Sequence, residues 1–384
     1  MEALVLGAGA ESLHAIDAAH ENGCRVVALD GSPDAPGLAR ADESFVVDIC
    51  DEDAVLSCLR VWSPDFILPV PIGRALVSTG TFNDRWDLPG VRRSEAELCT
   101  DKYLFARFLQ AKGLRGAKCF LAHDVKSDPT LLGGMASPFI VKPRFGSGSR
   151  GVCLLGSPKE VLEKLTDGDI VEEAFDGREY GLDGIVANGV LTILELRSKV
   201  NTPPPYRQCV GYQTVPLADK AYSSIGPFMQ SVVQAIGIDA GLIHADIMVN
   251  GDSVFVIELS ARPAGHSIYS DLIPLATGID PTRLFIECCV KGRDVAYKRE
   301  VRPLFMGFFN FGKCRIASCP DDESIVKEFS LIRYARNFRQ GDIMSDSVDG
   351  SVTTKGFFVF EGEGRKAEMK AERILGSFGI ERFL

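Results

Sequence analysis

Residues 241–266 read GLIHADIMVNGDSVFVIELSARPAGH. An Asn-Gly step at 250–251 separates two apolar runs, which predicts a β-hairpin because this dipeptide accepts the positive φ angles of tight hairpin turns. Asp246 and Glu258 then lie on the two arms of the hairpin. Two acids on adjacent strands can share a Mg²⁺ ion, since carboxylate oxygens are ligands that this hard cation prefers.

A glycine-rich loop precedes the hairpin. Residues 138–152 read PFIVKPRFGSGSRGV, with Lys142 at the end of a predicted strand and strand-like residues on both sides of the loop. Taken alone, a Gly/Ser run is also typical of a solvated linker. Its position directly after Lys142 favours a nucleotide lid, because a flexible glycine loop can fold its backbone N–H groups over phosphates.

Two further segments carry charged residues in the same order along the chain. The sequence Thr100-Asp101-Lys102 opens a predicted helix over 101–111, with Thr100 as its N-cap, and supplies a second lysine for phosphates. Residues 170–183, IVEEAFDGREYGLD, offer carboxylates at a predicted strand, turn and strand. Two lysines, a glycine loop and two metal-binding acids together indicate a nucleoside-triphosphate site.

Composition narrows the class of protein. The chain has 384 residues and a formal charge of −10, from 42 Lys and Arg against 52 Asp and Glu. The length allows two or three domains, and 46% hydrophobic with 24% charged residues excludes disordered, collagen-like and coiled-coil proteins. The acidic balance argues against nucleic-acid binding. Without a basic leader or an apolar run near the ~20 residues of a membrane span, we expect no membrane association and a cytoplasmic location.

The cysteines point to no disulfide framework or zinc site. The chain has 11 of them, scattered from Cys24 to Cys319 with no CxxC pair. An odd, scattered set of this kind predicts reduced and mostly buried thiols.

The beginning of the chain alternates predicted strands and helices, which is typical of a doubly wound domain over about 1–92. Its first turn, GAGAES at 7–12, is similar to a dinucleotide-binding fingerprint, with Asp30 near the position of a ribose-binding acid. The third glycine position is Ser12, however, and a bare βαβ turn explains the pattern equally well.

The later part of the chain mixes helices, strands and one long loop. Residues 197–217 are predicted to be that loop, because Pro203, Pro204 and Pro205 are excluded from strand and helix interiors. Beyond it we predict a helix over 226–236, strands over 306–311 and 356–360, and a helix over 366–375.

The segments KPRFGSGSRG, EEAFDGREY, HAD and ELSARPAG, in this order, resemble the motifs of the ATP-grasp superfamily of carboxylate–amine ligases, of the L-amino acid ligase type. The resemblance covers almost the whole chain. It implies a mixed α/β (α+β) class with an ATP-grasp fold: an N-terminal Rossmann-like domain over 1–92, an ATP-grasp domain over 93–302 with a lid subdomain at about 117–182, and a C-terminal β-rich lobe over 303–384.

The resemblance also implies roles for single residues. Lys102 and Lys142 would contact the phosphates of ATP, and Arg262 would bind the transferring phosphoryl group and the acyl phosphate, which makes Lys142 and Arg262 the implied catalytic residues. Asp246 and Glu258 would hold Mg²⁺, or Mn²⁺ in its place. The other implied sets are a closing loop of Gly146, Ser147, Gly148, Ser149 and Gly151, an adenine hinge of Glu172, Glu173 and Ala174, a ribose ligand Glu179, a metal position Ser260, and a substrate pocket with Arg262, Gly265 and His266.

Three positions depart from the family pattern. Asp246 replaces the usual Glu and keeps a hard oxygen ligand for Mg²⁺. Ser260 replaces the usual Asn, and since a hydroxyl is a weaker ligand than an amide oxygen, a second metal is expected to bind less well than the first. His266 replaces a common Gly, so its side chain is expected to enter the acceptor pocket.

The implied reaction transfers the γ-phosphoryl group of ATP to a carboxylate, after which an amine attacks the acyl phosphate and an amide forms. Small-molecule carboxylates and amines are then the partners, and the family favours a homodimer. The alternatives are an ATP-grasp carboxylase, which would need bicarbonate, and a thioester-forming synthetase, which would need CoA. Outside these classes stand a nucleotide-binding protein without turnover and a nicotinamide oxidoreductase that would use residues 7–30.

Overall fold

The computed structural model describes residues 1–60, 62–114, 117–295, 300–345 and 354–383. The chain forms two compact units. The first unit comprises Met1–Gly116, Gly181–Leu196 and Ala218–Glu300, and the second comprises Ala117–Tyr180, Arg197–Leu217 and Val301–Leu384. The three-domain division proposed from the sequence stays a prediction.

Strands and helices are mixed along the whole chain, which confirms the mixed α/β class. The strands are β1 (Glu2–Leu6), β2 (Arg25–Asp30), β3 (Glu43–Val46), β4 (Phe66–Ile67), β5 (Cys119–Leu121), β6 (Phe139–Pro143), β7 (Cys153–Leu155), β8 (Asp169–Glu173), β9 (Arg178–Ala187), β10 (Val190–Asn201), β11 (Cys209–Thr214), β12 (Gly241–Asn250), β13 (Ser253–Ser260), β14 (Leu304–Phe308), β15 (Cys314–Ser318), β16 (Arg333–Arg336), β17 (Ile343–Met344), β18 (Gly356–Glu361) and β19 (Gly379–Arg382). The helices are α1 (Leu13–Glu21), α2 (Pro36–Arg40), α3 (Glu52–Leu59), α4 (Leu76–Trp86), α5 (Arg93–Thr100), α6 (Lys102–Ala111), α7 (Ala122–Ser127), α8 (Pro158–Lys164), α9 (Lys220–Ile236), α10 (Ile273–Thr277), α11 (Pro281–Phe285), α12 (Asp322–Glu328) and α13 (Gly364–Gly376).

The first unit opens with a parallel sheet in the strand order β3-β2-β1-β4. Its strands alternate with α1, α2 and α3 along the chain, as the sequence pattern predicted. The central strands β1 and β2 are buried on successive residues rather than on alternate ones, which is typical of a parallel sheet covered on both faces. The core of this sheet includes Leu4, Leu6, Val27, Leu29, Val55, Leu59, Ile67, Phe82 and Leu88.

The first unit also contains the predicted hairpin. Strands β12 and β13 pair antiparallel from Asn250 opposite Ser253 to His244 opposite Ser260. Gly251 in the connection has a φ of 56°. A positive φ of this kind is what the Asn-Gly step predicted for the hairpin turn. Strand β12 also neighbours β9, the strand that carries the carboxyl end of the 170–183 motif.

The second unit contains an antiparallel sheet in the order β5-β8-β6-β7. The loop between β6 and β7 is the glycine-rich segment. In the remainder of this unit, β11 pairs with strands of the 303–384 segment in the order β11-β14-β18-β16, and the same segment adds the small sheet β17-β15-β19. Its core is dominated by phenylalanine, with Phe305, Phe309, Phe311, Phe329, Phe338, Phe358, Phe360 and Phe378 all buried.

The prediction of a loop over residues 197–217 is wrong. Strand β10 runs on to Asn201, and its end pairs antiparallel with β11, Arg197 opposite Thr214. The three prolines lie in the short connection at 202–208, where no ladder hydrogen bond is needed. The prolines therefore prevent strand formation only at their own positions, and the residues on either side of them pair as strands.

Two other local predictions need correction. Helix α9 begins at Lys220 rather than at 226, because the Asp219 side chain caps it by accepting the Ala221 N–H at 2.8 Å. The cysteines are reduced but not mostly buried: Cys24, Cys119, Cys209 and Cys314 are buried, Cys50 is exposed and the others are intermediate. Within the described ranges, no helix is long and apolar enough to cross a bilayer.

The prediction that Thr100 is the N-cap of α6, the helix that begins at Lys102, is also wrong. Thr100 is the last residue of α5, and its hydroxyl donates to the Ala96 carbonyl at 2.8 Å. The cap of α6 is Asp101, whose carboxylate accepts the N–H groups of Tyr103 at 3.0 Å and Leu104 at 3.1 Å. Both residue types cap helices, and only the position of the preceding helix decides between them.

We expect Asp101→Ala to lower the free energy of unfolding by about 1 kcal/mol, the usual cost of losing a helix cap. Asp101→Ser, which keeps an acceptor oxygen, should cost less, and the control Thr100→Ala should change stability by less than about 0.5 kcal/mol. Urea denaturation followed by circular dichroism measures all three. A larger loss in Thr100→Ala than in Asp101→Ala would contradict the assignment of the cap.

Candidate functional site

The hairpin of the first unit places the predicted metal ligands side by side. Asp246 is the direct cross-strand partner of Glu258, and His244 is the partner of Ser260. Since residues two apart on a strand share a face, all four side chains lie on one face of the hairpin. A β-bulge follows Asp246, a device that commonly re-aims side chains beside functional sites.

This carboxylate pair fits one Mg²⁺ ion. In the described ranges, no cluster of three or more His, Cys, Asp and Glu forms a complete protein-only metal site. Mg²⁺ in phosphate-transfer sites is usually held by one or two carboxylates, with substrate phosphates and water completing the shell. Asp246 and Glu258 supply that number of carboxylates, whereas the role of Ser260 stays a prediction.

The first lysine lies beside the same pair. Lys102 is the first residue of α6, and its Nζ is 3.7 Å from Glu258 Oε2. Its side chain is largely buried, so its charge is held near the hairpin rather than free in solvent. The structure therefore brings Lys102, Asp246, Glu258 and Ser260 together within the first unit.

Arg262 follows the hairpin and is fixed by backbone carbonyls. Its Nε donates to the Ile72 carbonyl at 2.9 Å, and its Nη1 donates to the Pro263 carbonyl at 2.7 Å. Burial lowers the pKa of Arg262, and the negative charges around it oppose that effect: Glu258, Glu11, Asp183 and Asp246. The planar guanidinium stays a cation, oriented in advance for an anion such as a phosphate.

The predicted substrate pair Gly265 and His266 forms an irregular turn after Arg262. His266 has a φ of 60° and Ser267 a φ of 59°, both in the left-handed region. For residues other than glycine this conformation costs of order 1–3 kcal/mol each and is concentrated at functional sites. The turn therefore needs fixed contacts, and the first unit provides them from two carboxylates that the sequence analysis left without a role.

Those carboxylates are Asp183 and Glu11. Asp183 Oδ1 accepts the Ala264 N–H at 3.1 Å, and Glu11 accepts the His266 N–H. Asp183 lies inside the quoted 170–183 motif and Glu11 inside the GAGAES turn, but neither position has a spacing signal that connects it to residues 264–266. Only the fold brings them together.

His244 lies between two acids, one of which is the predicted metal ligand Asp246. Its Nδ1 is 3.2 Å from Asp183 Oδ2, and its Nε2 is 3.6 Å from Asp246 Oδ1. The sequence allowed His244 to be an ordinary core histidine, whereas the structure makes it the link between a predicted metal ligand and the carboxylate that holds Ala264.

The second unit holds the other lysine. Lys142 Nζ is 2.5 Å from Glu172 Oε2, and both side chains are buried, at 5% and 10% exposure. They lie on the neighbouring strands β6 and β8. Burial without a partner would leave either charge uncompensated at a cost of several kcal/mol, so the two ions hold each other in place.

The predicted adenine hinge has several of its groups already engaged. The Glu173 carboxylate accepts the N–H groups of Lys118 at 3.2 Å and Ala136 at 3.0 Å. The Ala174 N–H donates to the Pro138 carbonyl at 2.9 Å. A nucleotide bound at this segment therefore meets carbonyl groups more readily than these N–H groups, and the hinge role stays a prediction.

The glycine-rich loop has left-handed backbone at several positions. The φ angles are 133° at Gly146, 71° at Gly148, 56° at Ser149 and 72° at Gly151. Glycine adopts such angles without the clash of a Cβ, which lets backbone N–H groups turn to one side. Ser147 lies between them, and its carbonyl accepts the Arg150 Nε at 3.2 Å.

The proline-containing connection at 202–208 lies against this loop within the second unit. Gln208 Nε2 donates to the Gly148 carbonyl at 3.3 Å, and Leu154 N donates to the Pro205 carbonyl at 2.8 Å. These two hydrogen bonds join the connection to the glycine-rich loop and to β7, which follows that loop.

Glu179, the predicted ribose ligand, is surrounded by donors. Lys199 Nζ lies 3.0 Å from it, and Arg207 Nη2 and Asn201 Nδ2 each lie 2.9 Å from Oε2. Burial raises the pKa of Glu179, but the two cations outweigh burial and hold it below its ordinary value. The sequence analysis missed Lys199 and Arg207 because both fell in the stretch predicted to be a loop.

The first glycine turn has the geometry of a bare βαβ turn. Asp30, the predicted counterpart of a ribose-binding acid, accepts the N–H groups of Ala8 at 2.7 Å and Ser32 at 2.8 Å. Ser12 Oγ donates to the Gly7 carbonyl at 2.6 Å. The Asp30 carboxylate and the Ala8 N–H therefore bind each other within the chain.

Comparison with known proteins agrees with this geometry. Residues 163–271 match the family model described as the ATP-grasp domain. A formate-dependent phosphoribosylglycinamide formyltransferase of Synechococcus sp. (strain WH7803) is 26% identical over 283 residues, 68% of this chain and 69% of the relative. Dapdiamide A synthase of Enterobacter agglomerans is 24% identical over 297 residues, 70% of this chain and 67% of the relative.

Solved structures share the fold over all or nearly all of the chain. The L-amino acid ligase from Bacillus licheniformis has a TM-score of 0.82 at 19% identity, covering 100% of this chain and 99% of that one. N5-carboxyaminoimidazole synthetase from Staphylococcus aureus, complexed with ADP, has a TM-score of 0.74 at 17% identity, covering 97% and 96%. The chain therefore carries an ATP-grasp domain over the matched residues and has an ATP-grasp fold.

Proposed function

We propose that the chain is an ATP-dependent ligase that activates a carboxylate as an acyl phosphate and couples it to an amine. The observation that carries this proposal is the direct pairing of Asp246 with Glu258, four residues before Arg262. An amide, ADP and phosphate are the products. The similarity to proteins named L-amino acid ligase and dapdiamide A synthase supports the same class of reaction.

In this proposal the nucleotide and the ion are bound by the residues that the motifs indicated. Asp246 and Glu258 would hold Mg²⁺, or Mn²⁺, with Ser260 beside them. The ion supplies positive charge that offsets the charge of the phosphates. On the nucleotide side we assign Lys102, Lys142, Gly146, Ser147, Gly148, Ser149, Gly151, Glu172, Glu173, Ala174 and Glu179.

Arg262 is assigned to the transferring phosphoryl group and the acyl phosphate. Its guanidinium is held by two backbone carbonyls, so binding an anion requires little reordering of the side chain. Gly265 and His266 are assigned to the substrate pocket. No covalent enzyme intermediate is needed, because the acyl phosphate itself stores the activation.

We further propose small-molecule carboxylate and amine substrates, a homodimer and a cytoplasmic location. A carboxylase and a thioester-forming synthetase remain the alternatives on the same fold. They differ from an amide-forming ligase in the acceptor they require, which is bicarbonate or CoA rather than an amine.

Lys142 should be necessary for ATP binding. Because loss of Lys142 alone leaves Glu172 buried and unpaired, the test uses the neutral double variant Lys142→Met/Glu172→Gln, which removes both charges. MgATP at about 100 times its Kd should stabilise the wild type by about 2.7 kcal/mol and raise its Tm, and the double variant should lose most of that shift.

The control for this experiment is Lys159→Met, which changes an exposed lysine on α8 of the same unit and should keep the full shift. A full MgATP shift in the double variant would contradict the assignment of Lys142. Stabilisation by a nicotinamide dinucleotide without stabilisation by ATP would favour the oxidoreductase.

Glu258→Gln should reduce the rate of ADP formation by at least about 100-fold, because it removes one of two metal-binding charges without changing side-chain volume. Asp246→Asn should act in the same direction. The control Asp252→Asn alters an exposed acid in the turn of the same hairpin and should leave the rate near wild type. Turnover of Glu258→Gln close to wild type, at any Mg²⁺ concentration, would exclude the metal assignment.

The stoichiometry of the products tests the reaction itself. A screen of carboxylate and amine pairs should identify a pair that gives ADP, phosphate and amide in equal amounts. With ¹⁸O in both carboxylate oxygens, one label should appear in phosphate and the other in the amide, because the bridging oxygen of the acyl phosphate leaves with phosphorus. Amide formation without label in phosphate, or turnover that requires bicarbonate or CoA, would reject the amide-forming mechanism.

A further inference from the structure

We propose that Glu11 and Asp183 are positioning residues that hold the segment from Arg262 to His266 by accepting two of its backbone N–H groups. The inference rests on the proposed function for its catalytic consequence, since Arg262 is the residue assigned to the phosphoryl group. We call this pair of carboxylates the backbone clamp. All of its members belong to the first unit.

Asp183 forms the first half of the clamp. It lies on β9 with only 3% of its surface exposed, and its Oδ1 accepts the Ala264 N–H at 3.1 Å. Its second oxygen is 3.2 Å from His244 Nδ1. One buried carboxylate therefore connects the segment after Arg262 to the strand that carries Asp246.

Glu11 forms the second half from the other side of the segment. It belongs to the first βα turn and accepts the N–H of His266 with one carboxylate oxygen. A Cβ built on Gly265 would lie 2.9 Å from the second oxygen, Oε2. Gly265 therefore leaves the space that the Glu11 carboxylate occupies, which gives this glycine a structural reason beyond a place in the substrate pocket.

The chain needs such a clamp at this point. His266 and Ser267 both have left-handed φ angles, and strained backbone persists only where surrounding contacts determine it. Pro263 has no N–H to donate, so the N–H groups of Ala264 and His266 are the ones that bracket Gly265. Each is bound by a carboxylate, which forms stronger hydrogen bonds than a neutral acceptor does.

The first glycine turn is held to the same region by a second contact. The Tyr269 hydroxyl donates to the Glu11 backbone carbonyl. The His14 ring packs edge-on against Tyr269 at 5.4 Å between centroids, and His14 Nε2 is 3.1 Å from Asp280 Oδ2. The turn that resembles a dinucleotide fingerprint thus serves in this chain to anchor residues 264–269.

The clamp should act on the orientation of Arg262 and not on nucleotide binding. Arg262 lies two residues before Ala264, and both clamp carboxylates are among the negative charges that oppose the loss of its proton. Opening the clamp would release the backbone that carries the guanidinium, whereas Lys142 and the glycine-rich loop belong to the second unit. We therefore expect loss of kcat with little change in the KM for ATP.

Hydrogen exchange of the ligand-free protein tests the clamp without any substrate. The amide hydrogen of His266 should exchange at least about tenfold faster in Glu11→Ala than in wild type, because a charge-assisted hydrogen bond is lost. Glu11→Gln keeps an acceptor oxygen and should restore most of the protection. Gly265→Ala, which pushes the carboxylate aside without altering it, should resemble Glu11→Ala, and the control Glu21→Gln on exposed surface of α1 should resemble wild type.

Hydrogen exchange of Asp183 variants tests the other half of the backbone clamp. Asp183→Ala should accelerate exchange at Ala264, and Asp183→Asn should do so less. Unchanged exchange at His266 in Glu11→Ala and at Ala264 in Asp183→Ala would overturn the clamp. Equal loss in Glu11→Gln and Glu11→Ala would also overturn it, since charge alone rather than the hydrogen bond would then hold the segment.

Turnover separates this inference from the proposed function. With a carboxylate and amine pair that the wild type converts to amide, Glu11→Ala should lower kcat about tenfold or more at an unchanged KM for ATP, and Glu11→Gln should recover most of it. Wild-type kcat in Glu11→Ala would overturn the positioning role. If the wild type forms no amide with any pair, the proposed function fails, and hydrogen exchange still decides whether the clamp exists.

Discussion

The register of the β12–β13 hairpin is the constraint on which the rest of the site depends. It sets Asp246 opposite Glu258 and His244 opposite Ser260, and Arg262 follows two residues after the last strand residue. A slip of one residue would turn every one of these side chains to the opposite face, because side chains alternate along a strand. The turn at 250–252 and the buried apolar residues on the other face hold the register. The contacts that stabilise the hairpin therefore also fix the geometry of the site.

Ion pairs between buried or half-buried side chains are a second feature of the candidate site. Lys102 lies beside Glu258, Lys142 is paired with Glu172, and Glu179 is paired with both Lys199 and Arg207. In the proposed function, Lys102 and Lys142 bind phosphates, so their charges have to be compensated and their positions fixed before the nucleotide arrives. A carboxylate partner does both, because it offsets the cost of burying the cation and limits its movement. In that proposal, the nucleotide competes with these existing ion pairs or adds to them.

The first βα turn shows how a familiar pattern can be used differently. Its glycines allow the close turn expected of a nucleotide-binding fold, and Asp30 accepts hydrogen bonds from the turn itself. Glu11 then points its carboxylate at the backbone after Arg262. A negative charge at this turn disfavours binding of a pyrophosphate and favours hydrogen bonds from backbone N–H groups. A glutamate at position 11 therefore changes what the turn can bind.

From the sequence alone one could determine the class of fold, the hairpin with its two acids, the lysine before the glycine loop, and the resemblance to ATP-grasp motifs, because these depend on local patterns of apolar residues, turns and charges. Local patterns misassigned Thr100 as a cap and residues 197–217 as a loop, since neighbouring helices and strand partners decide such boundaries. The contacts of Glu11, Asp183, Lys199 and Arg207 were determined only by the tertiary structure. Each of these contacts joins residues far apart in the chain, or depends on a strand pairing that the neighbouring prolines made unpredictable. The spacing of residues in a sequence does not indicate which distant N–H or carboxylate a side chain will contact.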